Sequence, residues 1–287
     1  MSKVRIGVIG GSGLYAMEEL TGIEEVRVQT PFGDPSDAIT IGTLAGERVA
    51  FLPRHGRGHR ILPADIPVRA NIYALKSLGV EWVIAASAVG SLREDIAPLH
   101  MVIPDQLIDR TKGRPSTFFT TGLVGHVGFA DPFCPVLSDL LARAAEHAGA
   151  TVHRGGTYVC MEGPAFSTRA ESRMYRAWGA SVIGMTGLPE AKLAREAELH
   201  YAMIAQSTDY DCWRESEDAV TAELVVANVA RNIATVRKSL LALIPTIPPT
   251  AGCACDSALA TAIQTSPEAI SPEAAKQLGL IYEKYAR

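Results

Sequence analysis

The chain has 287 residues, of which 47% are hydrophobic and 20% are charged, and this composition is typical of a globular protein. The formal net charge of −4 at pH 7 provides no basic excess for binding nucleic acid. No apolar run approaches the ~20 residues of a membrane span, and the apolar run near the N-terminus is soon broken by glycines. We therefore expect a cytoplasmic protein whose partners are small molecules or copies of itself, with no nucleic acid and no membrane.

Apolar runs of strand length alternate with patterns of helical period, which predicts an α/β fold with a parallel or mixed central sheet. The predicted strands occupy residues 4–9, 39–44, 49–52, 82–86, 101–103, 157–160, 182–185 and 201–206. The predicted helices occupy residues 70–78, 135–148, 168–178, 189–198, 222–243 and 272–285. The composition changes after Pro249, so we expect a single domain over residues 1–249. Residues 250–287 are then a C-terminal extension that packs on the body or on a neighbouring subunit.

The first predicted strand runs into Gly10-Gly11-Ser12-Gly13, at the strand end where open α/β sheets bind their ligands. Glycines let the backbone approach an anion closely, and the Ser12 hydroxyl can donate a hydrogen bond. The spacing differs from the G-x-G-x-x-G motif of dinucleotide sites and lacks the Gly-Lys-Ser/Thr ending of a triphosphate loop. The loop alone indicates either an anion site or a structural turn.

Cationic and hydroxyl side chains follow three further predicted strands. Arg-His-Gly-Arg-Gly-His at 54–59 follows strand 49–52, and an arginine offers a planar fork that suits phosphate oxygens. Ser-Ala-Val-Gly-Ser at 87–91 follows strand 82–86, and Thr186 follows strand 182–185. Each segment alone could be a salt-bridged loop, a cap or a turn. Together they predict a crevice for a small dianion.

Asp209 and Asp211 follow strand 201–206 and are separated by one residue. A departing purine needs a proton or a strong hydrogen bond at N7, which an aspartic acid can supply as a general acid. A second aspartate can accept a hydrogen bond from an exocyclic 6-amino group. A metal site would need further ligands at coordinating spacing, and a helix N-cap is the alternative structural role.

Seven strings in order make the chain resemble the 5′-methylthioadenosine phosphorylases of the purine nucleoside phosphorylase superfamily. The resemblance covers roughly residues 4–247. The strings are Ile-Gly-Gly-Ser-Gly-Leu at 9–14, Thr-Pro-Phe-Gly-Asp-Pro-Ser-Asp at 30–37, Arg-His-Gly-Arg-Gly-His at 54–59, Arg-Ala-Asn-Ile-Tyr-Ala-Leu-Lys at 69–76, Gly-Ser-Leu-Arg-Glu at 90–94, Glu-Gly-Pro-Ala-Phe-Ser-Thr-Arg-Ala-Glu-Ser at 162–172, and Asp-Tyr-Asp-Cys-Trp at 209–213.

The resemblance implies a single α/β domain with a mixed central sheet and a distorted barrel flanked by helices, assembled as a homotrimer or homohexamer. It implies phosphorolysis of 5′-methylthioadenosine to adenine and 5-methylthioribose 1-phosphate in purine and methionine salvage, with Asp209 as the acid at N7. It implies no metal and no organic cofactor, since inorganic phosphate is a co-substrate.

The residues at positions that match the family's site fall into three groups. The implied phosphate site comprises Ser12, Arg54, His55, Ser87, Ala88 (through its backbone) and Thr186. The implied nucleoside site comprises Phe166 against the base, Met185 beneath the ribose, the purine-reading Asp209 and Asp211, Val225 at the methylthio group, and His126, which reaches into a neighbouring subunit's site. Ser167 and Ala222 match positions that tune substrate choice.

Three points stay open. Gly184 and Gly187 replace polar residues of some relatives, which we expect to widen the ribose site. Cys253 and Cys255 are separated by one residue and are either free thiols or a strained disulfide. The rival functions are a 6-oxopurine or methylthioinosine phosphorylase, which the carboxylate of Asp211 disfavours, and a non-catalytic nucleotide-binding protein, which only the glycine loop suggests.

Overall fold

The computed structural model describes residues 3–14, 18–214 and 222–286, and a mixed sheet of eleven strands forms its centre. The strands are β1 Ile6–Gly10, β2 Thr21–Val26, β3 Ile39–Leu44, β4 Glu47–Pro53, β5 Trp82–Ser91, β6 Met101–Ile103, β7 Gln106–Arg110, β8 Val152–Arg154, β9 Thr157–Met161, β10 Val182–Gly184 and β11 His200–Asp209. Their order is β2-β3-β4-β1-β5-β10-β9-β7, while β11 pairs with both β5 and β6, and β6 also pairs with β8.

Helices cover both faces of this sheet. They are α1 Val68–Ser77, α2 Pro135–His147, α3 Arg169–Ala177, α4 Gly187–Glu196, α5 Ala222–Leu243 and α6 Pro272–Leu278. The sequence specifies some of their starts: Thr168 and Glu171 form a reciprocal capping box at α3, and the Ser271 hydroxyl accepts from Ala274 N at α6. Among the described residues, none of the helices has both the length and the apolar character that crossing a membrane requires.

The central strands β1, β5 and β11 are buried along almost their whole length because both of their faces are covered. Val83 and Ala85 of β5 face one core with α1 and α4, while Ile84 and Ala86 face a second core with α2 and α5. This alternation places helices on opposite sides of the same strand. It confirms the predicted α/β class with a mixed sheet flanked by helices.

The strand pairing corrects the predicted barrel. On one side β5 runs parallel to β11 from Trp82 to Gly90, and on the other it pairs parallel with β1 from Trp82 to Ala85 and antiparallel with β10 at Gly90 and Ser91. Because β10 takes the place of β1 along β5, the sheet branches, and the pairings within the described residues do not close it into a barrel.

Several predicted bounds were also wrong. β5 continues through residues 87–91, which were expected to form a loop, and β11 continues to Asp209. The short polar strands β2, β7 and β8 were not predicted. The last helix ends at Leu278 and not at residue 285, because Gly279 has a φ of 44° and the chain continues in two 3-10 turns.

The C-terminal residues pack on the body through polar and apolar contacts. Leu259, Ala262 and Leu278 belong to the core that includes β1 and α1. Lys284 forms an ion pair of 3.0 Å with the buried Glu198, and the Tyr285 hydroxyl donates to the same carboxylate at 2.6 Å. The boundary between residues 249 and 250 stays a prediction from composition.

Candidate active site

A cavity of about 650 Å³ opens where several parallel strands end at one edge of the sheet. β1, β4, β5 and β11 are parallel to one another, so the residues at their carboxyl ends converge. The fold therefore brings the separate glycine, cationic, hydroxyl and acidic segments of the sequence to one place.

Nine of the predicted site residues line this cavity: Arg54, His55, Ser87, Ala88, Phe166, Met185, Thr186, Asp209 and Asp211. They form two poles. Arg54, His55, Ser87 and Thr186 make a cationic and hydroxyl pole, and the two aspartates make an acidic pole.

At the first pole, Arg54 is buried and its guanidinium is held by a buried carboxylate. Its Nε and Nη2 donate to Glu190 at 2.9 Å each, and Nη1 donates to the Ala86 carbonyl at 2.8 Å. Nη2 also donates to the Ile9 carbonyl at 3.4 Å. The bidentate fork that was expected to hold phosphate thus holds Glu190, and one N–H of Nη1, which has no partner among the described residues, can donate to a ligand.

His55 lies beside Arg54 in a fixed orientation. Its ring stacks on His59 at 4.2 Å, and Nδ1 lies 2.9 Å from the Ile61 carbonyl. The pKa of His55 is lowered to about 4, chiefly by burial; the Ile61 carbonyl opposes this in part, and Arg54 and His59 contribute to the lowering. The neutral ring donates from Nδ1 to Ile61, so Nε2 is an acceptor that can bind a protonated phosphate oxygen.

Two hydroxyls complete the first pole. The Ser87 and Thr186 oxygens lie 3.1 Å apart, although the residues are 99 positions apart in sequence. Thr186 directly precedes α4, and its side chain makes no capping bond to the helix. Its backbone N donates to the Tyr158 hydroxyl at 3.4 Å.

The same tyrosine explains the glycines that were expected to widen the ribose site. A Cβ at Gly184 would lie 2.1 Å from the Tyr158 hydroxyl oxygen, and a Cβ at Gly187 would lie 3.1 Å from its ring. Tyr158 is fully buried, so the space that these glycines leave is filled by a ring. The glycines therefore make room for Tyr158, and a wider ribose site stays a prediction, since Gly184 also lines the cavity.

At the second pole, the two aspartates are buried and linked. Asp209 accepts from the Thr208 hydroxyl at 2.6 Å and from the backbone N of Asp211 at 2.8 Å. Gly90 on β5 permits this arrangement, since a Cβ there would lie 3.0 Å from Asp209 Oδ1 and 3.2 Å from Asp211 Cβ. The Asp209 carboxylate is therefore held in place by its two hydrogen bonds, beside Asp211.

The Asp211 carboxyl has an unsatisfied buried oxygen. Its Oδ2 has no hydrogen-bond partner among residues 3–14, 18–214 and 222–286. Burial raises the pKa of Asp211, and the nearby Ser172 and Ser167 hydroxyls and Cys212 N–H oppose this rise only in part. A buried oxygen without a partner costs free energy, so a ligand that donates to it would be bound favourably.

Apolar side chains line the space between the poles. Phe166 is 48% exposed and Val226 67% exposed, and both line the cavity together with Met185, Val229 and Ile233. Val226, Val229 and Ile233 lie on α5, which also contains Val225 and Ala222. Such a wall suits a flat base and an apolar substituent.

The remaining predicted residues are placed as follows. The Ser167 hydroxyl donates to Met161 Sδ at 3.7 Å, and Ser167 is not among the residues that line the cavity. His126 is exposed outside the cavity, and its backbone N donates to the Ala262 carbonyl at 2.8 Å. The side chains of Ser12, Ala222 and Val225 lie outside the described part of the structure.

Sequence reasoning missed three buried polar residues of the site: Glu190, Tyr158 and Gln206. Glu190 holds Arg54 and also accepts from the Tyr201 hydroxyl at 2.8 Å. Gln206 lines the cavity, and its Oε1 has no partner within the described residues. The signal for Glu190 was available, because the helical pattern 189–198 places it on the same face as Leu193 and Ala194.

The comparisons with known proteins all point to one family. A family model described as "Phosphorylase superfamily" matches residues 5–245. The S-methyl-5′-thioadenosine phosphorylase of Gloeobacter violaceus is 58% identical, over 99% of this chain and 96% of that protein. A solved methylthioadenosine phosphorylase from an Antarctic soil metagenomic library is 49% identical with a TM-score of 0.92, over 98% and 99% of the two chains. A variant of the Schistosoma mansoni adenosine/methylthioadenosine phosphorylase in complex with methylthioadenosine is 37% identical with a TM-score of 0.80, over 85% and 91%.

Proposed function

We infer the function from the family, since the chain belongs to the phosphorylase superfamily and its full-length relatives of high identity are S-methyl-5′-thioadenosine phosphorylases. The reaction is the phosphorolysis of 5′-methylthioadenosine to adenine and 5-methylthioribose 1-phosphate. The chain is thus a pentosyltransferase that uses phosphate and a small-molecule nucleoside. The observation in the structure that best supports this function is one cavity with a cationic and hydroxyl pole, an acidic pole and an apolar wall between them.

We assign the first pole to phosphate. A phosphate oxygen attacks the anomeric carbon of the ribose while the bond from that carbon to N9 breaks and its electron pair moves into the purine. Ser87, Thr186 and the remaining Nη1 N–H of Arg54 donate to the phosphate, and His55 Nε2 accepts from its protonated oxygen. Donors fixed before the reaction hold the phosphate oxygen in position for attack on the anomeric carbon, so these groups need no reorganisation in the transition state.

We assign the acidic pole to the purine. Asp209, oriented by Thr208 and by the backbone of Asp211, shares or delivers a proton at N7 as negative charge grows on the departing base. Asp211 accepts from the exocyclic 6-amino group through its unsatisfied Oδ2. Phe166 packs on the base, Met185 lies beneath the ribose, and Val225 with its neighbours on α5 contacts the methylthio group. No metal or organic cofactor takes part in this reaction scheme.

The test is a substrate panel with and without phosphate. Release of adenine from 5′-methylthioadenosine should require phosphate and should yield 5-methylthioribose 1-phosphate. Adenosine, inosine and methylthioinosine should be poorer substrates. Adenine release that is independent of phosphate would show hydrolysis and would contradict the proposal, as would a preference for a 6-oxopurine.

We also propose that the chain works as a homotrimer or homohexamer in which His126 contributes to a neighbouring site. The exposure of His126 outside its own cavity supports this proposal. Activity should fall when the protein is diluted below the dissociation range of the assembly. A fully active monomer in size-exclusion chromatography with an in-line assay would refute it.

A further inference from the structure

Four metal-ligating side chains meet at a point outside the lining of the reaction cavity. The ligand atoms of Cys134, His200, Cys253 and Cys255 all lie within 4.8 Å of one another. Cys134 Sγ lies 3.6 Å from His200 Nδ1 and 3.7 Å from Cys253 Sγ, and Cys253 Sγ lies 3.4 Å from His200 Nδ1. Cys134, His200 and Cys255 are buried, Cys253 is half-buried, and all of the cysteines are free thiols.

These distances match the edges of a zinc tetrahedron. Zinc binds cysteine sulfur at about 2.3 Å and histidine nitrogen at about 2.0–2.1 Å in tetrahedral sites. In a regular tetrahedron, those bond lengths give sulfur–sulfur edges of about 3.8 Å and sulfur–nitrogen edges of about 3.6 Å. The three measured edges lie close to these values. Three cysteines and one histidine are also a common donor set of structural zinc sites.

The two ligands on the body are held rigidly. Cys134 directly precedes α2, its Sγ accepts from Leu137 N at 3.5 Å, and its backbone N donates to the Tyr201 carbonyl at 2.8 Å. His200 begins β11, and its ring stacks on Trp82 at 4.2 Å. The donation from Leu137 N and the N-terminal end of α2 both favour negative charge on the Cys134 sulfur.

We propose that Cys134, His200, Cys253 and Cys255 bind one Zn²⁺ in a closed tetrahedral site that fastens the C-terminal residues to the body. The protein supplies all four ligands, so the ion is structural and leaves no coordination position for a substrate. Three thiols release their protons on binding, and His200 coordinates through Nδ1 as a neutral ring. None of the four residues is among those that line the reaction cavity, so the ion takes no part in phosphorolysis.

The segment that the zinc would anchor also supports the loop that contains His126. Gly125 forms a β-bridge with Ile263, His126 N donates to the Ala262 carbonyl, and Gln264 N donates to the Val124 carbonyl at 2.9 Å. The Thr265 hydroxyl accepts from Val124 N at 2.8 Å. Loss of the ion would therefore loosen both the C-terminal residues and this loop.

A disulfide is the competing explanation for clustered cysteines. A disulfide between any two of the thiols would leave the third thiol free. It would also leave the buried His200 nitrogen facing the sulfurs without a bond to a metal. A zinc ion uses all four donor atoms at once. The position of His200 Nδ1, within 3.6 Å of two sulfurs, therefore favours metal over a disulfide.

The test is zinc analysis of the full-length, untagged protein, expressed with added zinc and purified under reducing conditions without chelators. Elemental analysis should find about one zinc per chain. Cys255→Ser and His200→Ala should lose most of it, and His200→Cys should retain it because a four-cysteine site is also tetrahedral. Cys160→Ser makes the same chemical change at a buried cysteine outside the cluster and should keep its full zinc content.

A second measurement on the unmodified chain covers the case in which variants fail to fold. After exchange into Co²⁺, the protein should show the intense visible absorption of tetrahedral cobalt together with thiolate-to-metal charge transfer. A mercurial reagent should release zinc in proportion to the thiols that it modifies. The proposal is overturned if the reduced wild-type chain neither contains nor takes up zinc. It is also overturned if the Cys255→Ser and His200→Ala variants keep their zinc, or if alkylation and mass spectrometry find a disulfide among these cysteines.

Discussion

Asp211→Asn is the substitution that most directly tests how the site recognises the purine base. An ionised Asp211 only accepts hydrogen bonds, so it favours the 6-amino group of adenine over the 6-oxo group of hypoxanthine. An asparagine keeps the shape and can donate its amide to the 6-oxo oxygen. Asp211 has a φ of 52°, and asparagine is among the residues that tolerate this left-handed conformation best. Its backbone bond to Asp209 is unaffected by the change.

The size of the effect follows from the burial of the carboxyl group. Asp211 is 9% exposed and its Oδ2 has no partner among the described residues, so a lost hydrogen bond to the ligand leaves this oxygen poorly solvated. A mismatched buried polar group costs about 1–3 kcal/mol, which corresponds to about 5- to 150-fold in the ratio of two rate constants. We expect Asp211→Asn to shift the kcat/KM ratio toward methylthioinosine within this range.

The pH dependence of the wild-type ratio gives an independent check. Because burial raises the pKa of Asp211, protonation begins nearer neutrality than for an ordinary aspartate. Above that raised pKa the carboxylate accepts from the 6-amino group, and below it the acid can donate to a 6-oxo group. The preference for methylthioadenosine should therefore decline as the pH falls through this pKa, and Asp211→Asn should remove this dependence.

The assay is steady-state kinetics of both proteins on 5′-methylthioadenosine and methylthioinosine at saturating phosphate across a pH series. Asp211→Asn could lower activity on both nucleosides in equal proportion, with the same pH profile of the ratio as the wild type. In that case Asp211 does not select the base, and the reasoning from its unsatisfied oxygen is refuted.

Three further substitutions and one control test the rest of the site. Asp209→Ala removes the proton at N7, so kcat should fall by about 10²–10⁴-fold on both nucleosides, and an unchanged kcat would exclude Asp209 as the acid. Gly90→Ala places a Cβ 3.0 Å from Asp209 Oδ1 and displaces this carboxylate, so kcat should fall by up to about 10²-fold while the temperature of unfolding changes little. Wild-type kinetics in this variant would show that catalysis tolerates a displaced Asp209 carboxylate. Arg54→Ala leaves Glu190 buried without its cation, so the KM for phosphate should rise and stability should fall by about 3–5 kcal/mol. Arg57→Ala removes an ion pair with Glu25 on the surface of the same loop and should lower stability by at most ~1 kcal/mol. Equal losses of stability and of phosphate affinity in both variants would contradict the assignment of Arg54 to the phosphate site.

The sequence predicts the buried strands well because their apolar runs reflect cover on both faces. The error at β5 has a physical cause. Residues 87–91 contain hydroxyls and a glycine, which are typical of turns, but pairing with β11 and then β10 keeps the segment extended. β2 and β7 lie at the two ends of the main strand order, where partial solvent exposure removes the apolar pattern that marks a strand.

The sequence predicted which segments of the chain form the site, but not which of their side chains form hydrogen-bonded pairs. Strand ends that carry donors and acids could be placed at one edge of the sheet from pattern alone. The pairing of Arg54 with Glu190 joins residues 136 positions apart and depends on tertiary packing. The same holds for Cys134 and His200, which the sequence gives no reason to connect with the Cys-x-Cys pair at 253–255.

The pairing of Arg54 changes the physical picture of the phosphate pole. A buried arginine with an uncompensated charge would attract phosphate strongly at long range, but here Glu190 neutralises that charge through two hydrogen bonds. His55 is neutral as well, since burial lowers its pKa to about 4. The pole therefore presents fixed dipoles, namely two hydroxyls, one guanidinium N–H and an imidazole acceptor. Dipoles at fixed positions select the geometry of phosphate more than its charge, and they hold the phosphate ester less tightly than a free cation would. Such a site can orient phosphate for attack at the anomeric carbon and still release a phosphorylated sugar as product.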